Sequence, residues 1–156
     1  MTARRGALRF APRPLESAPM LPTPPSDPSL NPGLLVLVVD DSDDVAEMTA
    51  EMLRMYGHEA CIANDGPSAL AAVASERPDA VLLDLGLPGM NGLEVAEALH
   101  AARHEASPLV IAVSGYDRAE DRERLSRAGC LHHLVKPVDF TRILALLAAH
   151  APARAD

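Results

Sequence analysis

The sequence is poor in aromatic residues and in cysteine. It has no tryptophan, and aromatic residues make up only 3% of the 156 positions, although hydrophobic residues account for 48%. A folded core must therefore be built from aliphatic side chains. The two cysteines, Cys61 and Cys130, lack the spacing of a metal site and are typical of a protein from a reducing compartment.

Long apolar runs and a basic excess are also missing. No run approaches the ~20 residues that cross a bilayer, and the N-terminus lacks the apolar segment of a secretory signal, so we expect a cytoplasmic protein with no membrane partner. The net charge is −8, and it becomes −10 without residues 1–33, which hold 4 of the 14 basic residues and 2 of the 22 acidic ones. Nucleic acid is excluded as an expected partner, because phosphate contacts need a positive face.

The chain divides sharply at its first aliphatic run. Residues 1–33 contain eight of the fourteen prolines together with Arg4, Arg5, Arg9 and Arg13, and few large apolar side chains. Such a composition does not offset the entropy lost on ordering, so we predict a disordered extension, with a docking tail as the functional alternative. We expect residues 34–150 to form one domain and residues 151–156 to form a flexible tail.

Short aliphatic runs alternate with amphipathic stretches from residue 34 onward. The pattern predicts strands at 34–39, 58–63, 80–83, 109–113 and 131–135, and helices at 43–56, 68–75, 93–104, 118–127 and 140–150. Strict alternation with short connections indicates a doubly wound parallel sheet with helices on both faces. We therefore predict a flavodoxin-like (βα)5 fold with the strand order 2-1-3-4-5.

Polar residues follow four of the predicted strands, where the carboxyl ends of parallel strands meet. Asp40 and Asp41 follow the first strand, Asp84 the third, Ser114 the fourth and Lys136 the fifth. Three clustered carboxylates repel one another unless a cation is present, and hard oxygen ligands at a wet edge suit Mg²⁺. Lys136 is the only lysine in the chain, and beside a hydroxyl group it would clamp a transferring phosphoryl group.

From Leu34 to about Ala149 the chain resembles a stand-alone response-regulator receiver domain of two-component signalling. The resemblance rests on four motifs in order: Asp40-Asp41, Asp84 with the loop Leu87-Pro88-x-Met90-x-Gly92, Ser114-Gly115, and Lys136-Pro137. The sequences of these motifs are most similar to those of receivers fused to hybrid sensor kinases. Residues 1–33 have no counterpart in the resemblance.

The resemblance implies a role for each residue at the strand ends. Asp84 would accept a phosphoryl group from a histidine kinase or phosphotransfer protein. Asp41, Asp84 and the backbone carbonyl of Gly86 would bind Mg²⁺, with Asp40 acting mostly through water. Ser114 and Lys136 would hold the phosphoryl oxygens, and the Lys136–Pro137 peptide would be cis. The fourth helix, fifth strand and fifth helix would form the surface for an unknown downstream protein or a weak homodimer.

Three positions near the site depart from the family pattern or modulate it. His133 replaces the Tyr or Phe that often stands three residues before the lysine and acts as a switch. It would either rotate as the switch, which would make the response pH-sensitive, or lie exposed on the strand without that role. Gly86 and Tyr116 flank the acceptor and the hydroxyl residue, and they favour slow loss of the phosphoryl group.

Two functions other than a phosphorylatable receiver remain open. A small Mg²⁺-dependent phosphohydrolase with an aspartyl nucleophile usually needs an acid two residues after the nucleophile, where this chain has Gly86. A pseudo-receiver that binds proteins without being phosphorylated would not need the complete site.

Met48, Met52 and Met55 recur at helical spacing in the first helix, and we interpret them as core packing.

Overall fold

A computed structural model describes residues 33–102, 107–130 and 132–150. The predicted disordered extension, apart from Gly33, and the predicted flexible tail lie outside the described residues. Within the described ranges, no helix is both long enough and apolar enough to cross a membrane.

Five strands alternate with five helices along the chain. The strands are β1 (Leu35–Val39), β2 (Glu59–Ala63), β3 (Ala80–Asp84), β4 (Leu109–Ser114) and β5 (His132–Val135). The helices are α1 (Asp43–Met55), α2 (Gly66–Glu76), α3 (Gly92–Ala101), α4 (Ala119–Arg127) and α5 (Phe140–Ala149). The order and type of all ten elements confirm the sequence prediction.

All strand pairs in the sheet are parallel, and their order is β2-β1-β3-β4-β5. Alternate residues of each strand face opposite sides, so Leu37 and Leu83 pack with α2, α3 and α4, whereas Val36 and Leu82 pack with α1 and α5. Both faces of the central strands are covered, as in other parallel sheets. The predicted flavodoxin-like topology is therefore confirmed.

Local capping chemistry sets the helix ends that the hydrophobic pattern missed. The second helix starts at Gly66, two residues before the predicted start, because Asp65 accepts a hydrogen bond from the amide of Ser68 and Pro67 fits the first turn. Arg77 ends this helix with a left-handed φ of 49° just before a proline. The third helix ends at Ala101, and the predicted last turn reaches residues 103–104, which lie outside the described residues.

The methionines of α1 do not pack as the sequence analysis expects. Met48 is 58% exposed and Met55 is 69% exposed. The buried side of the helix is already filled by Ala46, Ala50 and Leu53, which are spaced at three and four residues. The interpretation of the methionines as core residues is therefore wrong for Met48 and Met55.

His58 anchors the start of the sheet through a hydrogen bond that only its neutral form can make. Its Nδ1 atom accepts a hydrogen bond of 3.1 Å from the amide of Leu34. Burial also lowers the pKa of the imidazole from the usual 6.5. The unfolded chain therefore binds more protons than the folded chain between these two pKa values, so the unfolding free energy falls as the pH drops through 6.5 and levels off below the folded-state pKa.

We expect urea titrations of the wild type at pH 7.5 and pH 5.5 to show this loss of unfolding free energy. In His58→Asn the amide oxygen still accepts the hydrogen bond but does not titrate, so the difference between the two pH values should shrink. His132→Asn serves as the matched control, since His132 is also a half-buried histidine. An equal pH dependence in wild type and His58→Asn would contradict the assignment.

Candidate functional site

Three carboxylates meet at the carboxyl edge of the sheet. One side-chain oxygen from each of Asp40, Asp41 and Asp84 lies within 4.8 Å of the others. Asp40 and Asp84 are buried, whereas Asp41 is exposed. The cluster follows from the register, because Val39 of β1 pairs with Leu83 of β3 and each of these residues is followed in the chain by an aspartate.

The end of β1 is fixed by hydrogen bonds on both sides of Asp40. The carboxylate accepts a bond of 2.9 Å from the amide of Ser42, and the backbone carbonyl accepts one of 3.1 Å from the side-chain amide of Asn64. Ser42 caps α1, as predicted. Sequence reasoning did not single out Asn64, whose only signal is its position directly after β2.

The electrostatics of the cluster favour a bound cation. Burial is the main cause that raises the pKa of Asp40 above 3.8, and the negative charges of Asp84 and Asp41 add to it. The hydrogen bond from Ser42 and the charge of Lys136 act in the opposite direction. Carboxylates at this spacing are hard oxygen ligands of the kind that Mg²⁺ takes in proteins.

Both side-chain oxygens of Asp84 have partners. Oδ1 accepts a hydrogen bond of 2.9 Å from the amide of Gly86, and Oδ2 lies 3.2 Å from Nζ of Lys136. A Cβ atom at Gly86 would lie 3.4 Å from Oδ1, which is ordinary van der Waals contact. These two contacts hold the carboxylate of Asp84 in place, and the neighbouring Gly86 is exposed.

The loop after β5 places Lys136 over the cluster. The amide of Lys136 donates a hydrogen bond of 2.8 Å to the carbonyl of Ser114, which ties the ends of β4 and β5 together. The Lys136–Pro137 peptide bond is cis, the isomer that the resemblance implies. The lysine side chain is 45% exposed, so its ammonium group has room to follow a new anionic partner.

The hydroxyl group of Ser114 is engaged at two short distances. Its Oγ atom lies 2.5 Å from the carbonyl oxygen of Tyr116 and 2.6 Å from Nε2 of His133. Ser114 is only 7% exposed, and His133 is half-buried. Both residues are predicted site residues, but their contact does not follow from the sequence pattern.

The side chain of Tyr116 is exposed and contacts Arg118. The residue is 68% exposed, and the guanidinium carbon of Arg118 lies 5.1 Å from the centroid of its ring. Only the backbone carbonyl of Tyr116 takes part in the site, through Ser114. A covering role for the ring would require it to leave Arg118.

A groove of about 290 Å³ opens beside Asp84 and Lys136. Its apolar wall is formed by Val45 and Met48 of α1 and by Pro137. The exposed Met48 thus lines the same groove as Asp40 and Asp84. Sequence reasoning missed this wall because it assigned the methionine to the core.

Comparisons with known proteins agree with this geometry. Residues 36–148 match the model of the response regulator receiver domain. The chain is 41% identical over 115 residues to the probable transcriptional regulatory protein TcrX of Mycobacterium tuberculosis, covering 73% of this chain and 48% of that protein. It is 33% identical over 109 residues to protein PilH of Pseudomonas aeruginosa, covering 70% of this chain and 90% of PilH.

Solved structures show the same similarity. A CheY-like receiver domain protein from Methanospirillum hungatei superposes with a TM-score of 0.70 at 29% identity, covering 75% of this chain and 92% of that chain. The chemotaxis protein CheY4 of Vibrio cholerae gives a TM-score of 0.70 at 27% identity, covering 76% and 99%. The chain spans about half the length of the curated relatives that it matches first. It belongs to the family of response regulator receiver domains.

Proposed function

We propose that this protein is a phosphorylatable switch of a two-component phosphorelay in which Asp84 accepts the phosphoryl group. The observation that supports it best is the environment of Asp84: a buried carboxylate, clustered with Asp40 and Asp41, has the chain's only lysine 3.2 Å from its Oδ2 atom. The phosphorylated form would act by changing a protein-binding surface, by passing the phosphoryl group on, or by draining it from a kinase.

The reaction is a phosphoryl transfer from a phosphohistidine of the donor. An oxygen of Asp84 attacks the phosphorus atom, a P–O bond forms, the P–N bond breaks, and its electron pair returns to the imidazole of the donor. Lys136 moves from Oδ2 to the phosphoryl oxygens, and the hydroxyl of Ser114 donates to one of them. The backbone amide of Gly86 keeps the carboxylate oriented through Oδ1.

The residues present fit a Mg²⁺ ion. The oxygens of Asp40, Asp41 and Asp84 converge within 4.8 Å, and burial, with a smaller effect from the charges of Asp84 and Asp41, raises the pKa of Asp40. We assign Asp41, Asp84 and the carbonyl of Gly86 as ligands, with Asp40 acting mostly through water. When bound, the ion neutralises charge that builds up between the carboxylates and the phosphoryl oxygens.

Magnesium should therefore stabilise the folded protein. At a Mg²⁺ concentration tenfold above its Kd, the unfolding free energy should rise by about 1.4 kcal/mol. Urea titrations with MgCl2 or with NaCl of equal ionic strength measure the effect. It should vanish in Asp41→Asn and persist in Asp43→Asn, an exposed residue in the first turn of α1. An undiminished effect in Asp41→Asn would argue against this ligand set.

The expected partners are a histidine kinase or phosphotransfer protein and a downstream protein that recognises the surface of α4, β5 and α5. On this surface Arg122 pairs with Asp117 at 3.0 Å, and both side chains are more than half exposed. Most side chains of α4 are charged and its one large apolar side chain, Leu125, is buried, so a homodimer through this surface would bury little apolar area and be weak. Nucleic acid is not a proposed partner of the domain, because its charge is negative.

Acetyl phosphate and Mg²⁺ test the proposal directly. We expect intact mass spectrometry to show one phosphoryl adduct per chain that accumulates and then decays. Continuous hydrolysis of a phosphate ester without an adduct would support the phosphohydrolase instead. The absence of both adduct and hydrolysis would support the pseudo-receiver. The phosphoacceptor is favoured over the phosphohydrolase because Gly86 stands where such an enzyme usually has an acid.

We further expect the adduct to decay slowly when no phosphatase is present, because Gly86 offers no side chain to orient water. Gly86→Glu should accelerate the decay about tenfold, less than the ~10²-fold contributed by a well-positioned base. Ser75→Glu, at an exposed position of α2, controls for the added charge. Decay can be followed by intact mass after removal of acetyl phosphate. A half-life of seconds in the wild type would contradict the prediction.

A further inference from the structure

The hydrogen bonds of Ser114 determine where His133 carries a proton. A serine hydroxyl has one hydrogen to donate and two lone pairs that accept. The carbonyl oxygen of Tyr116 accepts only, so the hydroxyl hydrogen belongs to the bond of 2.5 Å with that oxygen. Ser114 must then accept from His133, and Nε2 of His133 must carry the hydrogen in the bond of 2.6 Å. Both the neutral Nε2–H tautomer and the imidazolium ion meet this requirement.

The strand register explains why these two side chains meet. His133 pairs with Ala112 and Val135 pairs with Ser114 across β4 and β5. Side chains of alternate residues lie on the same face, so His133 is the diagonal neighbour of Ser114. Ser114 is almost fully buried, and its hydroxyl needs both partners to be satisfied there.

We propose that His133 is a positioning residue that holds Ser114 in its resting place and thereby opposes phosphorylation. This inference rests on the proposed function, because it assumes that Ser114 donates to a phosphoryl group on Asp84. The hydroxyl cannot donate its one hydrogen to Tyr116 and to the phosphoryl group together. In this proposal, Ser114 also gives up the bond from His133 when it moves toward Asp84, so the free energy of that bond opposes phosphoryl binding.

The exchange also connects the site to the edge of the sheet. Once Ser114 leaves, Nε2–H of His133 loses its acceptor inside a half-buried environment and must find another. His133 lies in β5, which forms one edge of the sheet and carries the exposed Val135. The hydrogen bond thus links the state of Asp84 to a strand that a partner can reach.

The first test reads the proton directly in the resting protein. In ¹⁵N-histidine-labelled protein, the imidazole signal that disappears in His133→Gln identifies His133. We expect a directly bonded hydrogen on Nε2 that exchanges slowly with water, and we expect this protection to be lost when beryllofluoride and Mg²⁺ are added as a phosphoryl substitute. A bare Nε2 with the hydrogen on Nδ1, or protection that survives beryllofluoride, would overturn the proposal.

The second test measures the competition. His133→Phe keeps a flat ring without a donor, so beryllofluoride should bind about two- to tenfold more tightly, the range of one net hydrogen bond. The side-chain amide of His133→Gln still donates, so its affinity should stay close to that of the wild type. Unchanged or weaker binding to His133→Phe would overturn the proposal.

The two tests separate failure of this proposal from failure of the proposed function. If beryllofluoride binds to neither the wild type nor the variants, Asp84 is not a phosphoacceptor, and the proposed role of His133 is rejected together with the proposed function. If beryllofluoride binds the wild type and only the His133 responses are absent, the phosphoacceptor role stands and the positioning role is rejected.

Discussion

Asp84→Asn should abolish the phosphoryl adduct that the wild type forms with acetyl phosphate and Mg²⁺. The amide oxygen of asparagine is a poor nucleophile, and the variant also lacks one of the three charges that would hold the cation. The amide oxygen can still accept the hydrogen bond from Gly86, so the turn after β3 should survive. Intact mass spectrometry should find the adduct of the wild type and none in the variant.

Asp65→Asn is the matched control for this experiment. It makes the same chemical change at an exposed carboxylate that caps α2, and asparagine is an equally good cap. Its adduct should equal that of the wild type. An adduct that persists in Asp84→Asn would place the phosphoryl group on another side chain, and Asp40 and Asp41 would be the first positions to map.

The positions of the site residues follow from the sequence because strand ends are its clearest signal. The aliphatic runs before Asp40 and Asp84 are too short for helices and too continuous for half-exposed strands. Strict alternation with helices predicts a parallel sheet, and the expected flavodoxin-like order, which the structure has, brings the carboxylates together at one edge. Tertiary packing does not need to be known for this result.

The contacts within the site could not be predicted in the same way. The hydrogen bond between Ser114 and His133 depends on the register of β4 and β5 and on two side-chain rotamers, none of which the hydrophobic pattern specifies. The exposure of Met48 was missed for a related reason: helical spacing shows that residues share a face, but smaller alanines filled the inward one. Periodicity identifies faces, whereas neighbouring elements decide which face is buried.

Lys136→Met should slow phosphorylation by acetyl phosphate on the order of a hundredfold. Nζ of Lys136 lies 3.2 Å from Oδ2 of Asp84, and it is the chain's only ammonium side chain. Removing one preorganised donor from developing negative charge typically costs 10²–10³ in rate. Methionine keeps a similar length and apolar stem, so the loop after β5 should be preserved. The rate of adduct formation by intact mass measures the effect.

The same variant should bind Mg²⁺ more tightly, and this opposite change distinguishes a catalytic role from a structural one. In the resting protein, Lys136 partly neutralises the carboxylates that would hold the ion, so its removal leaves them more negative. A misfolded site would lose both phosphorylation and Mg²⁺ affinity. Arg142→Met removes one positive charge at an exposed position of α5 and should change neither. Slower phosphorylation together with weaker Mg²⁺ binding in Lys136→Met would contradict this role. The lysine would then be needed to organise the carboxylate cluster, and it would not be a group that competes with the cation and then binds the phosphoryl group.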